Sequence, residues 1–366
     1  MKIFIDLTAL SEQPTGIARV AESVTKTMIR NHPEHQYVLA FWSEIPKRFP
    51  VEHFGNNVEV QCIRSSYRGM RLKYLPEAMY KSRADVFLCC AFPGPILMWD
   101  KRVISIVHDL TPFKYGETMA KDAMRTWRLL IRHAIRTNGL ILYDSRTVME
   151  EVKNLFHRRK NSVAIPLGVD IAERADNSIL EKFNLEKDSF FLSVSTLEPR
   201  KNLKYLLKAF AQMEKSSNLK LVLTGGSGWK LEDAIGTVAQ DLEKNVVFTG
   251  YVSDEELKAL YQNANCFVSS SVYEGFGLPV VEALRNDLPV LISDIPVYRE
   301  ITDNKAVYFG LENPENLKKC LEQAIATDMR STEQFAQLKE FTVRYTWDNY
   351  VEQLNHLLLE RIKQNG

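Results

Sequence analysis

Residues 269–284 read Ser-Ser-Ser-Val-Tyr-Glu-Gly-Phe-Gly-Leu-Pro-Val-Val-Glu-Ala-Leu and join a predicted strand to a predicted helix. The apolar run Cys266-Phe267-Val268 precedes this stretch, and the apolar residues at its end recur at helical spacing. Pro279 suits the first turn of a helix, because an N–H group there has no intrahelical partner. The stretch therefore predicts a strand–turn–helix unit, which is the repeating unit of a parallel α/β sheet.

The turn within this stretch is predicted to bind a ligand. The backbone N–H groups of Phe276, Gly277 and Leu278 should emerge at a helix N-terminus, which attracts phosphate and sugar oxygens. Two carboxylates, Glu274 and Glu282, lie eight positions apart beside the same turn, and they would repel a simple anion. A ligand that carries hydroxyl groups as well as phosphates would explain both features.

The bulk composition is that of a globular protein with more than one core. At 366 residues the chain has the length of about two domains, and 45% of it is hydrophobic and 25% charged. The cysteines form no Cys-x-x-Cys pair, which predicts buried free thiols in a reducing compartment. They are Cys62, Cys89, Cys90, Cys266 and Cys320. The first residues read directly as a strand and predict no signal peptide, so we expect a cytoplasmic protein.

Short apolar runs alternate with helical patterns along the whole chain. The predicted strands lie near 2–6, 36–42, 58–63, 85–90, 103–107, 140–143, 163–165, 190–195, 219–224, 245–248, 266–269, 288–292 and 306–309. This alternation predicts doubly wound parallel sheets, and thirteen strands are too many for one such sheet at this length. We therefore predict two Rossmann-like domains, 1–170 and 171–346, with an amphipathic helix at 347–363 that packs back on the first.

The charge is unevenly distributed between the two halves. Residues 1–170 carry 25 lysines and arginines against 17 aspartates and glutamates, whereas residues 171–366 carry 22 against 29. Two basic segments, 64–83 and 121–136, contribute to the positive half. In the second of them four arginines share one stripe of a predicted helix: Arg125, Arg128, Arg132 and Arg136. The first half is therefore expected to face an anionic partner.

These basic segments have two interpretations. They could be solvated helix faces, or they could dock on anionic lipid headgroups or on a phosphorylated lipid acceptor. Nucleic acid is not an expected partner, because no recognition motif accompanies the charge.

Polar residues follow several predicted strands, at the edge where ligands bind to such sheets. In the first half these are Gly16, in the loop after the first strand, and the pair His108-Asp109. A dinucleotide cofactor is not expected, because the chain lacks Gly-x-Gly-x-x-Gly. In the second half Arg200 and Lys201 lie where a helix is predicted to begin and could bind a diphosphate. Gly226, which also follows a strand, would let the backbone approach a ligand closely.

Four motifs of the second half occur in a distinctive order. They are Glu-Pro-Arg-Lys-Asn at 198–202, Gly-Gly-x-Gly-Trp at 225–229, Gly-Tyr-Val-Ser-Asp-Glu-Glu-Leu at 250–257 and Tyr-Glu-Gly-Phe-Gly-Leu-Pro-x-x-Glu-Ala at 273–283. With them the chain resembles the retaining glycosyltransferases of family 4, in which the glutamate pair forms the E-x7-E motif. The resemblance implies the GT-B fold, in which two Rossmann-like α/β domains face a central cleft. It is strong over residues 190–300 and weaker in the first half.

The resemblance implies a role for each matched residue. Arg200 and Lys201 would grip the donor diphosphate, and Glu282 would bind the ribose hydroxyls. Glu274 would lie beside the transferred sugar, and Asp109 belongs with His108 to the expected catalytic group. The remaining expected contacts are backbone N–H groups of Phe276, Gly277 and Leu278 to sugar and phosphate, Tyr251 and Val252 beside the base, His108 on the sugar from the opposite domain, and Gly16 beside donor or acceptor.

The reaction implied is a metal-independent hexosyl transfer. The chain contains no Asp-x-Asp, so we expect fixed cations and helix N–H groups to stabilise the departing diphosphate. Many family members have an arginine where this chain has Ser193 or Ser195, so Arg200 should carry more of the phosphate charge. A double displacement would need a nucleophilic carboxylate, but the family is described as reacting without a covalent intermediate. We therefore assign Glu274 to sugar binding and charge stabilisation.

The motif variants are most similar to the bacterial O-antigen and exopolysaccharide branch of the family. There GDP-mannose is a frequent donor, so we favour it over UDP-sugars, with no cofactor and no metal. The expected acceptor is a glycan or a polyprenyl-diphosphate-linked sugar at the inner face of the cytoplasmic membrane, where the protein would be peripheral. Two alternatives remain open, a sugar-nucleotide epimerase on the same fold and an inactive sugar-nucleotide-binding protein.

Overall fold

The computed structural model of this protein describes residues 1–12, 15–157, 161–213, 219–226 and 244–365. Contacts divide the chain into two compact units. The first comprises Met1–Lys114, Lys121–Gly168 and Tyr345–Gly366, and the second comprises Tyr115–Ala120 and Val169–Arg344. Each unit is built on one parallel sheet.

The described residues of the first unit form seven strands and several helices. The strands are β1 Lys2–Asp6, β2 Gln36–Trp42, β3 Val58–Ile63, β4 Val86–Cys89, β5 Val103–Val107, β6 Leu140–Tyr143 and β7 Ser162–Ala164. The helices are α1 Gly16–Asn31, α2 Tyr67–Gly69, α3 Leu75–Ser82, α4 Thr111–Lys114, α5 Lys121–Thr137 and α6 Arg146–Phe156, with a π-helical stretch Met70–Tyr74 between α2 and α3 and a 3₁₀ turn at Val51–His53.

The first sheet has the strand order β3-β2-β1-β4-β5-β6-β7, with every described pairing parallel. The strand order reverses between β1 and β4, and ligands of doubly wound sheets bind beyond the carboxyl ends of the strands at such a point. β1, β4 and β5 are almost wholly buried, as expected when helices cover both faces of a sheet.

The second unit repeats this design with six described strands. They are β8 Phe190–Val194, β9 Lys220–Thr224, β10 Val246–Gly250, β11 Cys266–Ser269, β12 Val290–Ser293 and β13 Val307–Phe309. Its helices are α7 Ser178–Lys182, α8 Leu203–Ala211, α9 Asp254–Asn263, α10 Leu278–Arg285, α11 Pro296–Ile301, α12 Pro314–Ala326 and α13 Glu333–Thr342, with 3₁₀ turns at Gly116–Thr118, Pro199–Lys201 and Met329–Ser331.

The second sheet has the order β10-β9-β8-β11-β12-β13 and is also parallel in its described pairings. Its reversal point lies between β8 and β11. A buried apolar cluster lies between the sheet and helices α8 and α12; it includes Phe191, Leu206, Phe210 and Leu317. Any side chain that follows β8 or β11 therefore lies at the position where such sheets bind ligands.

The last helix, α14 Trp347–Asn365, belongs to the first unit and packs against α1. Its apolar stripe is buried, with Val351, Leu354 and Leu358 fully inaccessible to solvent. At one end of the contact, Asp348 accepts hydrogen bonds from Arg30 and Asn31, both at 2.8 Å. The helix therefore completes the core of the first unit.

The prediction of two doubly wound parallel sheets is confirmed, and the strand positions agree closely with the pattern of short apolar runs. The prediction that all five thiols are buried holds for Cys89, Cys90 and Cys266, but Cys320 is only partly buried and the prediction was wrong for Cys62. Cys62 is a free but exposed thiol, because β3 is the edge strand of its sheet and most of its side chains are only partly covered. Among the described helices, none combines the length and the apolar character that a bilayer crossing requires.

Candidate active site

Three charged side chains of the second unit meet at the reversal point of its sheet. Arg200 and Lys201 lie in the 3₁₀ turn that follows β8, and Glu274 lies in the turn that follows β11. The Glu274 carboxylate accepts from Lys201 Nζ at 2.5 Å through Oε1 and from Arg200 Nη1 at 2.8 Å through Oε2. Glu198 adds a second carboxylate, 2.6 Å from Arg200 Nη2. The sequence-predicted residues therefore form one ion-pair cluster.

Burial and neighbouring charges shift the pKa values of Glu274 and Lys201. Burial alone would raise the pKa of Glu274, but the charges of Lys201 and Arg200 and their hydrogen bonds outweigh it and lower the pKa to about 2. The pKa of Lys201 is lowered, because burial and the neighbouring Arg200 charge outweigh the charges of Glu274 and Glu198. Glu274 is thus held ionised between two cations.

A layer of hydroxyl groups supports the Glu274 carboxylate from below. Ser271 donates to its Oε1 at 2.7 Å, and the Ser271 carbonyl in turn accepts from Ser293 at 2.6 Å. Tyr298 and Ser269 share a hydrogen bond of 2.7 Å beneath. A small cavity with room for about one water touches Lys201, Glu274 and these hydroxyls. The Ser271 hydroxyl therefore orients the Glu274 carboxylate, and Ser269 links Ser271 to Tyr298.

The turn after Glu274 leads directly into α10. Gly277 is the N-cap residue with φ of 104°, and a Cβ there would lie 2.7 Å from Cε1 of Tyr298, so glycine is required on both counts. Leu278 and Pro279 begin the helix, as the sequence predicts, and Phe276 is buried. The turn therefore places the start of α10 beside the cation cluster.

Glu282 lies one turn into α10 and faces a different neighbour. Its Oε2 accepts from the Tyr261 hydroxyl at 2.8 Å, which holds the carboxylate toward α9. Glu274 and Glu282 therefore have different local partners, as two carboxylates with different jobs require. The ribose-binding role of Glu282 stays a prediction.

The loops after β9 and β10 lie at the same sheet edge. The Gly225 N–H donates to the Gly250 carbonyl at 3.0 Å, and the Leu197 N–H donates to the Gly226 carbonyl at 3.1 Å. Hydrogen bonds therefore join the loop after β9 to the end of β10 and to the loop after β8. Gly226 is exposed, with open space where a Cβ would be. Tyr251 is exposed, whereas Val252 is buried. The end of the Gly-Gly-x-Gly-Trp motif, 227–229, lies outside the described residues.

In the first unit, His108 follows β5 and is held on both sides. Its Nδ1 lies 2.7 Å from Asp144 Oδ2 and its Nε2 lies 2.7 Å from the Cys90 carbonyl. Both partners are hydrogen-bond acceptors, so both ring nitrogens donate. Burial lowers the pKa of His108, but the Asp144 charge and these hydrogen bonds outweigh it, and the net pKa is raised. The ring is therefore fixed in an arrangement that favours its protonated form.

The other predicted residues of the first unit have simple local roles. Asp109 Oδ1 accepts from the Thr111 backbone N–H at 2.8 Å and so caps the start of α4. Gly16 is the exposed first residue of α1, and a methyl group at its Cα would meet no other atom within 4 Å. Both lie at the carboxyl edge of their sheet, as the sequence predicts.

The first basic segment, 64–83, is not uniformly exposed. Arg71 is buried, donates to Asp6 Oδ2 at 3.0 Å and to the Pro93 carbonyl at 2.8 Å, and so crosses the reversal point between β1 and β4. The interpretation of this segment as a single docking face was wrong for Arg71, because its charge is neutralised by the carboxylate at the end of β1.

The arginine stripe of α5 is also divided. Arg128 donates to the Pro112 carbonyl at 2.6 Å, and the Arg132 guanidinium lies 5.1 Å from the centre of the Phe113 ring. Arg125, Arg132 and Arg136 are exposed. Arg128 and Arg132 therefore contact α4, and three of the four side chains reach solvent.

Sequence reasoning missed Asp144, Ser271 and Tyr298. Asp144 directly follows β6, which pairs with β5 so that Val107 lies opposite Tyr143. The position of Asp144 directly after a buried strand could have indicated a site residue. The sequence does not show the strand order that brings Asp144 next to His108. Ser271 lies within the motif stretch, but nothing in its spacing indicated a bond to Glu274.

Comparison with known proteins agrees with the resemblance that the sequence motifs indicate. Residues 176–340 match the family model of glycosyl transferases group 1. The O-antigen chain mannosyltransferase RfbU of Salmonella typhimurium is 28% identical over 254 residues, which cover 69% of this chain and 68% of that protein. The O-antigen chain mannosyltransferase B of Escherichia coli is 27% identical over 267 residues, 69% of each protein.

Solved structures extend the likeness over the whole chain. The structure of Anabaena Alr3699/HepE in complex with UDP and glucose superposes with a TM-score of 0.76 at 15% identity, covering 98% of this chain and 100% of that one. At this identity the likeness shows the fold alone. The predicted GT-B fold, with its two parallel-sheet α/β domains, is confirmed.

Proposed function

We propose that this chain, which carries a glycosyltransferase group 1 domain, transfers a hexose from a nucleotide diphosphate sugar to a glycan acceptor with retention of anomeric configuration. We further propose that mannose is the sugar, that GDP-mannose is the donor, and that the acceptor is a lipid-linked or oligosaccharide precursor of a cell-surface polysaccharide. The relatives named O-antigen mannosyltransferases support this choice of sugar and pathway.

The observation that carries the proposal is the cluster of Arg200, Lys201 and Glu274 at the reversal point of the second sheet. Cleavage of a sugar–phosphate bond builds negative charge on the leaving diphosphate, and cations already fixed in a buried site stabilise that charge without reorganising. A diphosphate that enters beside Arg200 and Lys201 would share or replace the carboxylate as their partner. The start of α10 would add backbone N–H groups.

Glu274 then has an electrostatic role. Two cations and the Ser271 hydroxyl hold it ionised, with its pKa lowered to about 2, so it cannot serve as a proton donor near neutral pH. In the proposed reaction it orients the sugar and stabilises positive charge that develops at the anomeric carbon. No step of this proposal requires a metal ion, because Arg200 and Lys201 supply the positive charge.

A peripheral position on the inner face of the cytoplasmic membrane is part of the proposal. Within 64–83 the side chains that reach solvent mix aromatic and basic character: Tyr67 is 45% and Tyr74 43% exposed, and Arg68 and Lys73 are exposed beside them. Such a mixture suits an anionic lipid surface. Co-sedimentation that depends on the anionic lipid content of vesicles would support it, and equal binding to neutral vesicles would contradict it.

The donor site is tested by replacing Lys201 with methionine, which keeps the length of the side chain and removes its charge. Transfer of mannose from GDP-mannose to acceptors in membrane extracts should fall about 10²–10³-fold. Lys204→Met, at an exposed position in α8, is the matched control and should keep full activity. Circular dichroism and thermal unfolding verify that both variants are folded. Undiminished transfer by Lys201→Met would overturn the assignment.

The same assay separates the proposal from an epimerase. An epimerase would convert UDP-sugars without an acceptor, whereas the proposed enzyme requires an acceptor for turnover. Parallel reactions with GDP-mannose and UDP-glucose, with and without acceptor, distinguish the two. Conversion of UDP-sugar alone, at a rate above that of mannosyl transfer, would refute the transferase.

A further inference from the structure

A second polar cluster lies in the first unit, where the chain between α1 and β2 meets α14. Its members are two buried histidines, His32 and His35, which are 7% and 4% exposed, and Asn355, which is 8% exposed. The side chain of Glu34 completes the cluster and is 59% exposed. Among the described residues, His32, Glu34 and His35 form a group whose ligand atoms all lie within 4.8 Å of one another.

The spacing of these atoms is close to that of a metal coordination shell. His32 Nδ1 lies 3.3 Å and His35 Nε2 lies 3.6 Å from the same oxygen, Glu34 Oε1. Asn355 Oδ1 lies 2.9 Å from His35 Nε2. A tetrahedral zinc ion with bonds of about 2.0–2.1 Å separates its ligand atoms by about 3.3–3.4 Å. Small adjustments of these side chains would therefore bring the atoms to the corners of such a site.

Hydrogen bonding within this cluster leaves the Glu34 carboxylate without a proton from a neutral His32 ring. His32 Nδ1 lies 3.3 Å from the Glu34 carboxylate and 3.2 Å from Asn355 Nδ2, and His32 Nε2 lies 3.4 Å from the Glu352 carboxylate. With its proton on Nε2, a neutral His32 ring accepts from Asn355 Nδ2 through Nδ1, and the Glu34 carboxylate then faces the same lone pair at 3.3 Å. On His35, Nδ1 is buried and has no hydrogen-bond partner in the described structure.

A bound cation resolves the conflict at His32. An ion on Nδ1 would take the place of the hydrogen bond from Asn355 Nδ2 and leave the ring proton on Nε2. The Nε2–H group would then donate toward Glu352, which is the carboxylate–histidine contact that orients metal ligands. Glu34 would face the ion and not a lone pair, so both carboxylates beside His32 would have a positive partner.

We infer that His32, Glu34, His35 and Asn355 bind a divalent transition-metal ion, with zinc preferred. Two imidazoles and a carboxylate in four-coordinate geometry suit zinc and its neighbours, whereas magnesium and calcium prefer oxygen ligands at higher coordination number. The site lies at one end of the first unit's helix pair and takes no part in the proposed sugar transfer. Its ligands come from two parts of the chain, so the ion would tie α14 to the α1–β2 connection.

Titration of the metal-free, full-length protein with zinc chloride tests the inference. Calorimetry should give one ion per chain, and the midpoint of thermal unfolding should rise with zinc. Glu34→Gln removes a ligand at an exposed position without disturbing the core, and it should weaken zinc binding at least ten-fold. His356→Gln is the matched control, because that exposed histidine lies on α14 but faces solvent beside Glu360, and it should bind zinc as the wild type does.

Cobalt(II) gives a second readout that reports geometry. The wild type should show the intense visible bands of a tetrahedral complex, and Glu34→Gln should lose them. Absence of saturable binding by the wild type would overturn the inference. Equal zinc affinity in wild type and Glu34→Gln would also overturn it, because the ion would then be bound elsewhere.

Discussion

Replacing Glu274 with glutamine should destabilise the protein by about 3 kcal/mol at neutral pH. Glutamine keeps the shape of the side chain but cannot neutralise Lys201 and Arg200, which lie 2.5 and 2.8 Å from the carboxylate. Folding lowers the pKa of Glu274 from 4.5 to about 2, and a difference of about 2.5 units corresponds to about 3.4 kcal/mol. Loss of one partner from a buried ion pair costs about 3–5 kcal/mol in other proteins, so the two magnitudes agree.

This stabilisation has a defined dependence on pH. Because the pKa of Glu274 is lower in the folded state, the stabilisation is fully present above the unfolded value of 4.5 and is lost as the pH falls toward about 2. At pH 3.5 the wild type should already have lost about 1.4 kcal/mol of it. The glutamine variant has no proton to bind at this position and should lack this component.

Urea unfolding followed by far-ultraviolet circular dichroism measures the effect at pH 7, 4.5 and 3.5. The difference between wild type and Glu274→Gln should narrow by about 1.4 kcal/mol between pH 7 and pH 3.5. Glu198→Gln is the control, because it removes another carboxylate of the cluster while Arg200 keeps Glu274, and its effect should be smaller. A difference that is the same at pH 7 and pH 3.5 would refute the electrostatic account.

Three further changes have effects that follow directly from local geometry. Asp144→Asn removes the charge that raises the pKa of His108, so an NMR titration should show a lower pKa for this ring than in the wild type. In the wild type the stabilisation from this pair is fully present below the ordinary histidine pKa of 6.5 and is lost as the pH rises through the pKa of the folded state. An equal His108 pKa in variant and wild type would contradict this. Gly277→Ala places a Cβ 2.7 Å from a Tyr298 ring carbon at φ of 104°, and thermal unfolding should show a loss of about 1–3 kcal/mol; wild-type stability would contradict it. Ser253→Ala breaks the capping box at the start of α9 and should cost about 1 kcal/mol in urea unfolding, and an unchanged midpoint would show that the cap adds no stability.

Much of the fold was predictable because buried parallel strands are short apolar runs between polar turns. Such strands cannot shift by a residue without exposing apolar side chains. The local pattern of apolar residues therefore indicates where each strand begins and ends. The capping box of Ser253 and Glu256 is likewise local, because its two residues lie within four positions of the chain, and the structure contains both of its hydrogen bonds. The edge strand β3 was the exception, since its exposure depends on having no neighbour on one side.

The contacts within the candidate site were less predictable. Arg200 and Glu274 are separated by 74 positions, and they meet only because β8 and β11 are neighbours in the sheet. Strand order is a property of the whole sheet, so no local window contains it. The same reason hid the pairing of His108 with Asp144 and the burial of Arg71 against Asp6. The sequence motifs indicated candidate site residues, and the strand order of each sheet determines which of these residues are in contact.

The docking of α14 on α1 has a consequence for synthesis of the protein. The ribosome makes residues 169–344, the main part of the second unit, before it makes α14, and at about 5–20 residues per second this takes on the order of 10–35 seconds. During that interval the nascent first unit has an apolar helix face without its covering helix. The first unit can therefore complete its core only after the main part of the second unit has been synthesised.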